Sequence, residues 1–248
     1  MSPLDEQTPT RETPNTVSAA LPILRELEKK VLWLSTWMIH HANYVRQNRG
    51  GLGGLKVGGH QASSASVAAL MTALYFDVLR PEDRVAVKPH ASPVYHAIQY
   101  LLGNLDAEYL KTLRGFHGLQ AYPSRTKDPD GVDFSCGSVG LGAVAPNFAW
   151  LTDQYLRGHL REDPGPNPRF ISLLGDAELD EGVVWEAIAE PALTDIENVL
   201  WIIDLNRQSL DRIIPGIRVE VWRQMFRANG WQIIDAKYGK RLQAAFAE

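Results

Sequence analysis

The chain has 248 residues, 45% of them hydrophobic and 22% charged, with 20 Gly and 15 Pro. At roughly 150 residues per domain this allows one or two domains, and the composition excludes a collagen-like, wholly disordered or coiled-coil chain. Acidic residues outnumber basic ones, 29 to 25, so a net charge of -4 offers no broad attraction to phosphate backbones or anionic lipid. Neither nucleic acid nor membrane is therefore expected as a partner. No apolar run approaches the ~20 residues of a membrane helix, and no signal-peptide pattern follows Met1. The single cysteine, Cys136, cannot make an internal disulfide or a Cys-rich zinc site, and a cytoplasmic protein is expected.

Residues 1–20 carry Pro3, Pro9 and Pro14 with few large apolar side chains and read as a disordered tail. From Leu21, apolar residues recur at spacings of three and four (Leu24, Leu27, Val31, Leu34, Met38, His41, Val45), and Trp33 and Trp37 widen that face. The pattern predicts a helical arm over 21–50. Glycines 50, 51, 53, 54, 58 and 59 mark a tightly turning connection. The pattern resumes as a helix from Gln61 or Ser63, buried through Val67, Leu70, Met71, Leu74, Tyr75 and Val78 and ending before Pro81.

Further on, strand-like and helical runs alternate. Strands are expected at Arg84 to Val87, Arg169 to Leu174, Asn198 to Leu205 and Gln232 to Asp235, and helices at Pro93 to Leu102, Ala143 to Leu156 and Glu181 to Leu193. Asp128 to Asp133 and Glu162 to Pro168 read as surface loops. Continuous apolar strands separated by helices predict an α/β domain over 51–248, a parallel sheet with helices on both faces.

In such a sheet, ligands sit beyond the carboxyl ends of the strands. Gly175-Asp176-Ala177-Glu178-Leu179-Asp180-Glu181-Gly182 follows one predicted strand and Asn206-Arg207-Gln208 the next. At 30 residues apart, Asp176 and Asn206 are separated by one strand-helix-strand crossover and can lie side by side. A carboxylate, an amide and a nearby backbone carbonyl are hard oxygen donors of the kind Mg²⁺ or Ca²⁺ accepts. On residue chemistry alone, a helix-capping or loop carboxylate is the commoner role for Asp176.

Four segments in order carry a resemblance: Gly59-His60-Gln61-Ala62-Ser63, His90-Ala91-Ser92-Pro93, Ser138-Val139-Gly140-Leu141-Gly142, and Gly175 through Asp211. Together they resemble the thiamine-diphosphate-dependent transketolase superfamily, most closely the decarboxylating component of homodimeric pyruvate dehydrogenase. The resemblance implies the diphosphate-binding fold, with Mg²⁺ held by Asp176, the Asn206 side chain and the Gln208 carbonyl. It also implies thiamine diphosphate approached by Gly137, Val139, Gly175 and Ala177. His60 and His90 then correspond to active-site histidines, Ser63 lies beside the first, and Glu181 couples two cofactor sites near a subunit interface. Glu178 and Asp180 read equally as a solvated acidic first turn, and His96, His117 and His159 carry no functional assignment.

The implied reaction is oxidative decarboxylation of a small 2-oxo acid such as pyruvate. Implied partners are a second copy or a chain carrying the pyrimidine-binding domain, and a lipoyl-bearing acyltransferase. Such a domain is inactive without that other domain and reads as truncated at its C-terminus. Sugar-phosphate ketol transfer and a non-catalytic assembly subunit are the alternatives. Two departures stand out. Ala177 replaces a motif glycine, at a cost of about 1–2 kcal/mol if that position needs a positive φ. Lys88 stands where relatives usually carry a neutral amide, and it either favours a more acidic substrate or faces solvent.

Overall fold

The alternation of strands and helices is realised in the computed structural model, which describes residues 16–46, 56–193, 196–206, 208–209, 212–213, 215–236, 239 and 245–246. The tail up to residue 15, the glycines from Gly50 to Gly54, and Arg207 and Asp211 lie outside the described residues. The chain divides into two units, Met1–Asp83 with Val87–Gly137, and Arg84–Ala86 with Ser138–Glu248.

The first unit is helical. Helix α1 (Thr16–His40) begins five residues before the expected Leu21 and closes in a π turn at His41–Val45. Helix α2 (Gln61–Ala73) ends likewise in a π turn at Leu74–Val78, and α3 (Ser92–Leu101) starts with a proline in its first turn. Both α2 and α3 pack on α1. The buried face of α1 is Val31, Ser35, Met38, Ile39 and Ala42. That stripe keeps the helical spacing but is rotated from the predicted one: Trp33 is 62% and Val45 51% exposed. Two residues are about 200° around a helix, so a face centred on Val31 and Ser35 turns Trp33 outward, where its ring stacks on Trp37 and that of Trp37 on His41.

After α3 a 3₁₀ turn (Ala107–Lys111) leads into irregular chain. The Asp128 to Asp133 segment is not the surface loop its Pro, Asp and Gly content suggests, because Asp130 and Val132 are buried. The polar composition is instead consumed in internal hydrogen bonds, including Gln120 N–H and Ser124 N–H to Asp128.

The second unit is built on a parallel sheet of β1 (Arg84–Ala86), β2 (Phe170–Gly175) and β3 (Val199–Asp204), in that spatial order. Helix α4 (Leu141–His159) packs on all three strands. Strand β2 is central, and five of its six residues are buried, as suits an apolar run interrupted only by Ser172. Helix α5 (Gly182–Ile188) is shorter than expected and gives way to a 3₁₀ turn at Pro191–Leu193, since the residue before a proline is pushed out of the helical region.

Beyond β3, a short antiparallel pair, β4 (Gln208–Ser209) and β5 (Arg212–Ile213), precedes α6 (Gly216–Ala228). Leu174, Leu179, Val184, Ile188, Trp222 and Phe226 form the core, with Trp201, Trp231 and Ile233 packed against it. Gln232 to Asp235 is not a strand. It alternates as a strand would, Ile233 inward and Ile234 85% exposed, but is held by side-chain packing and has no ladder partner among the described residues. No helix among the described residues is long and apolar enough to cross a membrane.

Gly140, which precedes α4, has φ of 88°, and a Cβ there would lie 3.1 Å from Val183 Cγ1 and 3.2 Å from Val184 Cγ2. Backbone conformation and packing both select glycine. Gly140→Ala is expected to lower stability by about 1–3 kcal/mol in urea denaturation, and a loss under about 0.5 kcal/mol, the range of an inert surface change, would overturn this account.

Candidate functional site

Two groups of predicted residues are assembled, one in each unit. In the second unit, parallel pairing sets Gly175 of β2 opposite Asp204 of β3. Asp176 and Asn206 follow those residues, so the two lie at the carboxyl edge of adjacent strands, as their spacing predicts. Asp176 is 1% exposed, while Asn206 is exposed and donates from Nδ2 to Asp204 Oδ2 at 3.4 Å. Strand β4, which contains Gln208, contacts the Asp176–Asp180 turn. A buried carboxylate, an exposed amide and main chain of β4 thus gather around one strand-end turn.

Asp176 to Asp180 form a 3₁₀ turn, and Ala177 is not among the residues with positive φ. The expected cost of replacing glycine there does not arise. Glu178 is not a solvated first-turn carboxylate either. It is 5% exposed and accepts from Gly175 N–H at 3.0 Å through Oε1 and from Gly140 N–H at 3.2 Å through Oε2. One side chain therefore ties the end of β2 to the start of α4 and consumes the Gly175 N–H. A Cβ added to Gly175 or Gly137 would meet nothing within 4 Å, so space is left at both positions. Val139 is 47% exposed, and Glu181 is exposed at the N-terminus of α5. Sequence reasoning found the acidic cluster but not the role of Glu178; a carboxylate three residues after the strand-end glycine, in capping spacing, was the available signal.

In the first unit, the rings of His60 and His90 meet edge to face with centroids 4.2 Å apart. They share a recess with Ser92, Pro93, Arg114 and Ala121. His60 precedes α2, Ser63 lies half-buried in its first turn, and buried Ser64 donates to the His90 carbonyl at 3.4 Å. The segment before His60 is clamped from two sides. Asn43, in the π turn after α1, donates to Gly58 O at 2.9 Å and accepts from Gly58 N–H at 3.1 Å. Arg114 donates to Val57 O, and a Cβ on Gly58 would fall 2.6 Å from its Nη1. Asn43 and Arg114 carry no motif, and no sequence signal marks them.

His90 has φ of 69°, the left-handed region that side-chain-bearing residues seldom occupy. Such strain persists where surroundings over-determine it and is common at functional sites. Tyr122 packs on the His90 ring with centroids 5.2 Å apart. Burial foremost, then the nearby His60, Arg114 and Lys88, lowers His90 to a pKa of about 4. Lys88 is 3% exposed and so does not simply face solvent. At neutral pH, His90 is an uncharged imidazole, able to donate from one nitrogen and accept at the other.

Because the folded value lies below the ordinary 6.5, the unfolded chain takes up the proton first. His90's contribution to stability is complete above about pH 6.5 and is lost as pH falls toward 4. NMR titration should place its midpoint near 4, and a midpoint near 6.5 would show the ring to be solvated. Glu178→Ala should cost about 1–3 kcal/mol of stability by stranding the Gly175 and Gly140 N–H groups; an unchanged urea midpoint would refute the clamp.

Residues 56–247 match the profile of the transketolase, thiamine diphosphate binding domain. The chain is 30% identical over 227 residues to the pyruvate dehydrogenase E1 component of Mycobacterium tuberculosis, an alignment covering 86% of the chain and 23% of that protein. It is 28% identical over 204 residues to human transketolase, covering 77% of the chain and 31% of that protein. In fold it is similar to transketolase from Leishmania mexicana, with a TM-score of 0.70 at 22% identity over 90% of this chain and 34% of that one. The chain thus spans about a quarter to a third of the length of these relatives. By this match and by its fold, the chain belongs to the thiamine-diphosphate-binding domain family of transketolase.

Proposed function

We propose that the chain is the diphosphate-binding domain of a thiamine-diphosphate- and Mg²⁺-dependent enzyme that decarboxylates a small 2-oxo acid, in the manner of a pyruvate dehydrogenase E1 component. The observation that carries this reading is the parallel register of β2 and β3, which sets Asp176 and Asn206 at one sheet edge beside β4. The donor set fits the cation: Asp176, the Asn206 side chain and the Gln208 carbonyl are hard oxygen ligands, and a diphosphate would complete the shell. Gly137, Val139, Gly175 and Ala177 would accept the cofactor, Gly175 by the space it leaves, its N–H being taken by Glu178. When bound, thiamine diphosphate supplies a carbanion and a sink for the electrons released by decarboxylation.

The chain's own residues would position and exchange protons. His90, neutral at pH 7, and His60 would donate to or accept from oxygens of the substrate. Ser63 would support His60, and exposed Glu181 would face the second subunit and couple the paired sites. The remainder of the catalytic machinery, including the pyrimidine-binding domain, would come from chain outside this one, in a homodimer or a second polypeptide. A lipoyl-bearing acyltransferase would receive the product. The 2-oxo acid reading is favoured by the greater share of this chain aligned with pyruvate dehydrogenase than with human transketolase. Likeness in fold to transketolases supports the second reading, ketol transfer between sugar phosphates.

Calorimetry with thiamine diphosphate and Mg²⁺ tests the binding site. The unaltered chain should bind weakly, and Asp176→Ala and Asn206→Ala should each weaken Mg²⁺-dependent binding about tenfold or more, roughly 1.4 kcal/mol. No heat at millimolar cofactor, or unchanged affinity in both folded variants, would sink the assignment.

A further inference from the structure

Helix α3 presents an unusual buried face. Ser92, Tyr95 and His96 are each 4% exposed or less, and each spends its polar atoms on the irregular segment between residues 120 and 130. Ser92 Oγ donates to Ala121 O at 2.7 Å, and Tyr95 Oη donates to Asp130 O at 2.6 Å. His96 Nδ1 lies 2.5 Å from Asp130 Oδ2, while Nε2 lies 3.3 Å from Gln120 O and 3.9 Å from Asp128 Oδ1. Asp128 in turn accepts from Gln120 N–H and Ser124 N–H, each at 2.8 Å, and so closes the segment on itself.

Every group facing the two ring nitrogens is an acceptor: two carboxylates and a carbonyl. A ring N–H has an acceptor on either side, and the Nδ1 contact with Asp130 at 2.5 Å is the shorter of the two. The other Asp130 oxygen, Oδ1, is buried without a hydrogen-bond partner, so the side chain depends on its Oδ2 contact with His96. Burial pushes the Asp128 carboxyl above the usual carboxylate range, and Tyr95 lies beside the His96 ring with ring centroids 5.6 Å apart. His96, Asp128 and Asp130 also have the spacing of a cation cluster. However, both Asp128 oxygens and both His96 nitrogens are already engaged within the chain, so the arrangement is an internal tie.

The tied segment carries Ala121, a wall of the histidine recess, and Tyr122, which packs on His90. We propose that His96 is a positioning residue for that recess: held between Asp130 and the Gln120–Asp128 side, it fixes Ala121 and Tyr122 against His90. The importance of the recess rests on the function proposed above; the tie itself does not.

Ring N–H exchange of the 248-residue chain, followed in ¹H–¹⁵N spectra at pH 7, reads the tie directly. A His96 ring N–H protected from exchange is expected, and a ring N–H that exchanges freely with water would overturn the grip. This holds even if no variant folds. Asp130→Asn keeps an acceptor and removes the charge, and His96→Gln keeps one donor and one acceptor. In either folded variant, amides of the 120–130 segment should lose exchange protection, and the His90 midpoint should rise from about 4 by roughly one pH unit or more as its burial relaxes. A loosened segment with an unmoved His90 midpoint would leave His96 a purely structural residue and overturn the proposal. None of these measurements uses thiamine diphosphate, so a chain that fails to bind cofactor leaves the result on His96 standing, and the reverse.

Discussion

The bidentate use of one buried carboxylate underlies the strand-end architecture. Glu178 receives N–H groups from Gly175 and Gly140, which lie far apart in sequence, and so joins the turn after β2 to the entry of α4. A charged acceptor sharing two backbone donors is stronger and more directional than apolar packing, and buried at this depth it tolerates little displacement. The left-handed glycine at 140 makes the approach possible by keeping Val183, Val184 and Glu181 clear. Asp176 and Ala177 lie between the two anchored ends of this arrangement. Their placement follows from a contact in which neither takes part.

The histidine recess is organised by a different principle, saturation of backbone groups by long-range side chains. Asn43 answers both main-chain groups of Gly58, and Arg114 reaches the carbonyl of Val57. His60, two residues after the clamped Gly58, is thereby presented to His90, which holds a backbone conformation that few residues adopt unaided. Partial burial, and after it the neighbouring His60, Arg114 and Lys88, then keep the His90 ring neutral. Position and proton affinity are set by the same neighbours, so the two properties cannot be tuned separately.

What could be read from the amino-acid order followed from how local each determinant is. The strands after which Asp176 and Asn206 fall were legible because an apolar run bounded by polar turns has few other solutions in a parallel sheet. The face of α1 was misjudged because Trp33 and Val45 satisfy a helical period as well as Ser35 and Ala42 do, and only the packing of α2 and α3 chooses between them. Gln232 to Asp235 has strand alternation, but a strand also needs a ladder neighbour, which no local pattern supplies. Asp128 and Asp130 looked like loop residues because composition reports polarity and not where the polar atoms find partners. Asn43, Arg114 and His96 act across 15, 57 and 34 residues respectively, beyond the reach of any short motif.

The π turn that closes α1 carries one more residue per hydrogen-bonded loop than the helix before it, with Arg46 N–H returning to His41 O. Such a turn changes the angular phase of everything after it. Up to Ala42 the phase serves core packing; at Asn43 it serves the Gly58 segment. The helix end therefore converts one periodicity into another. Removing a single residue there would rotate the following positions by about 100° and exchange the polar clamp for a neighbour of the wrong chemistry. Length, more than side-chain identity, is what this short stretch must conserve for the histidine segment to be held in place.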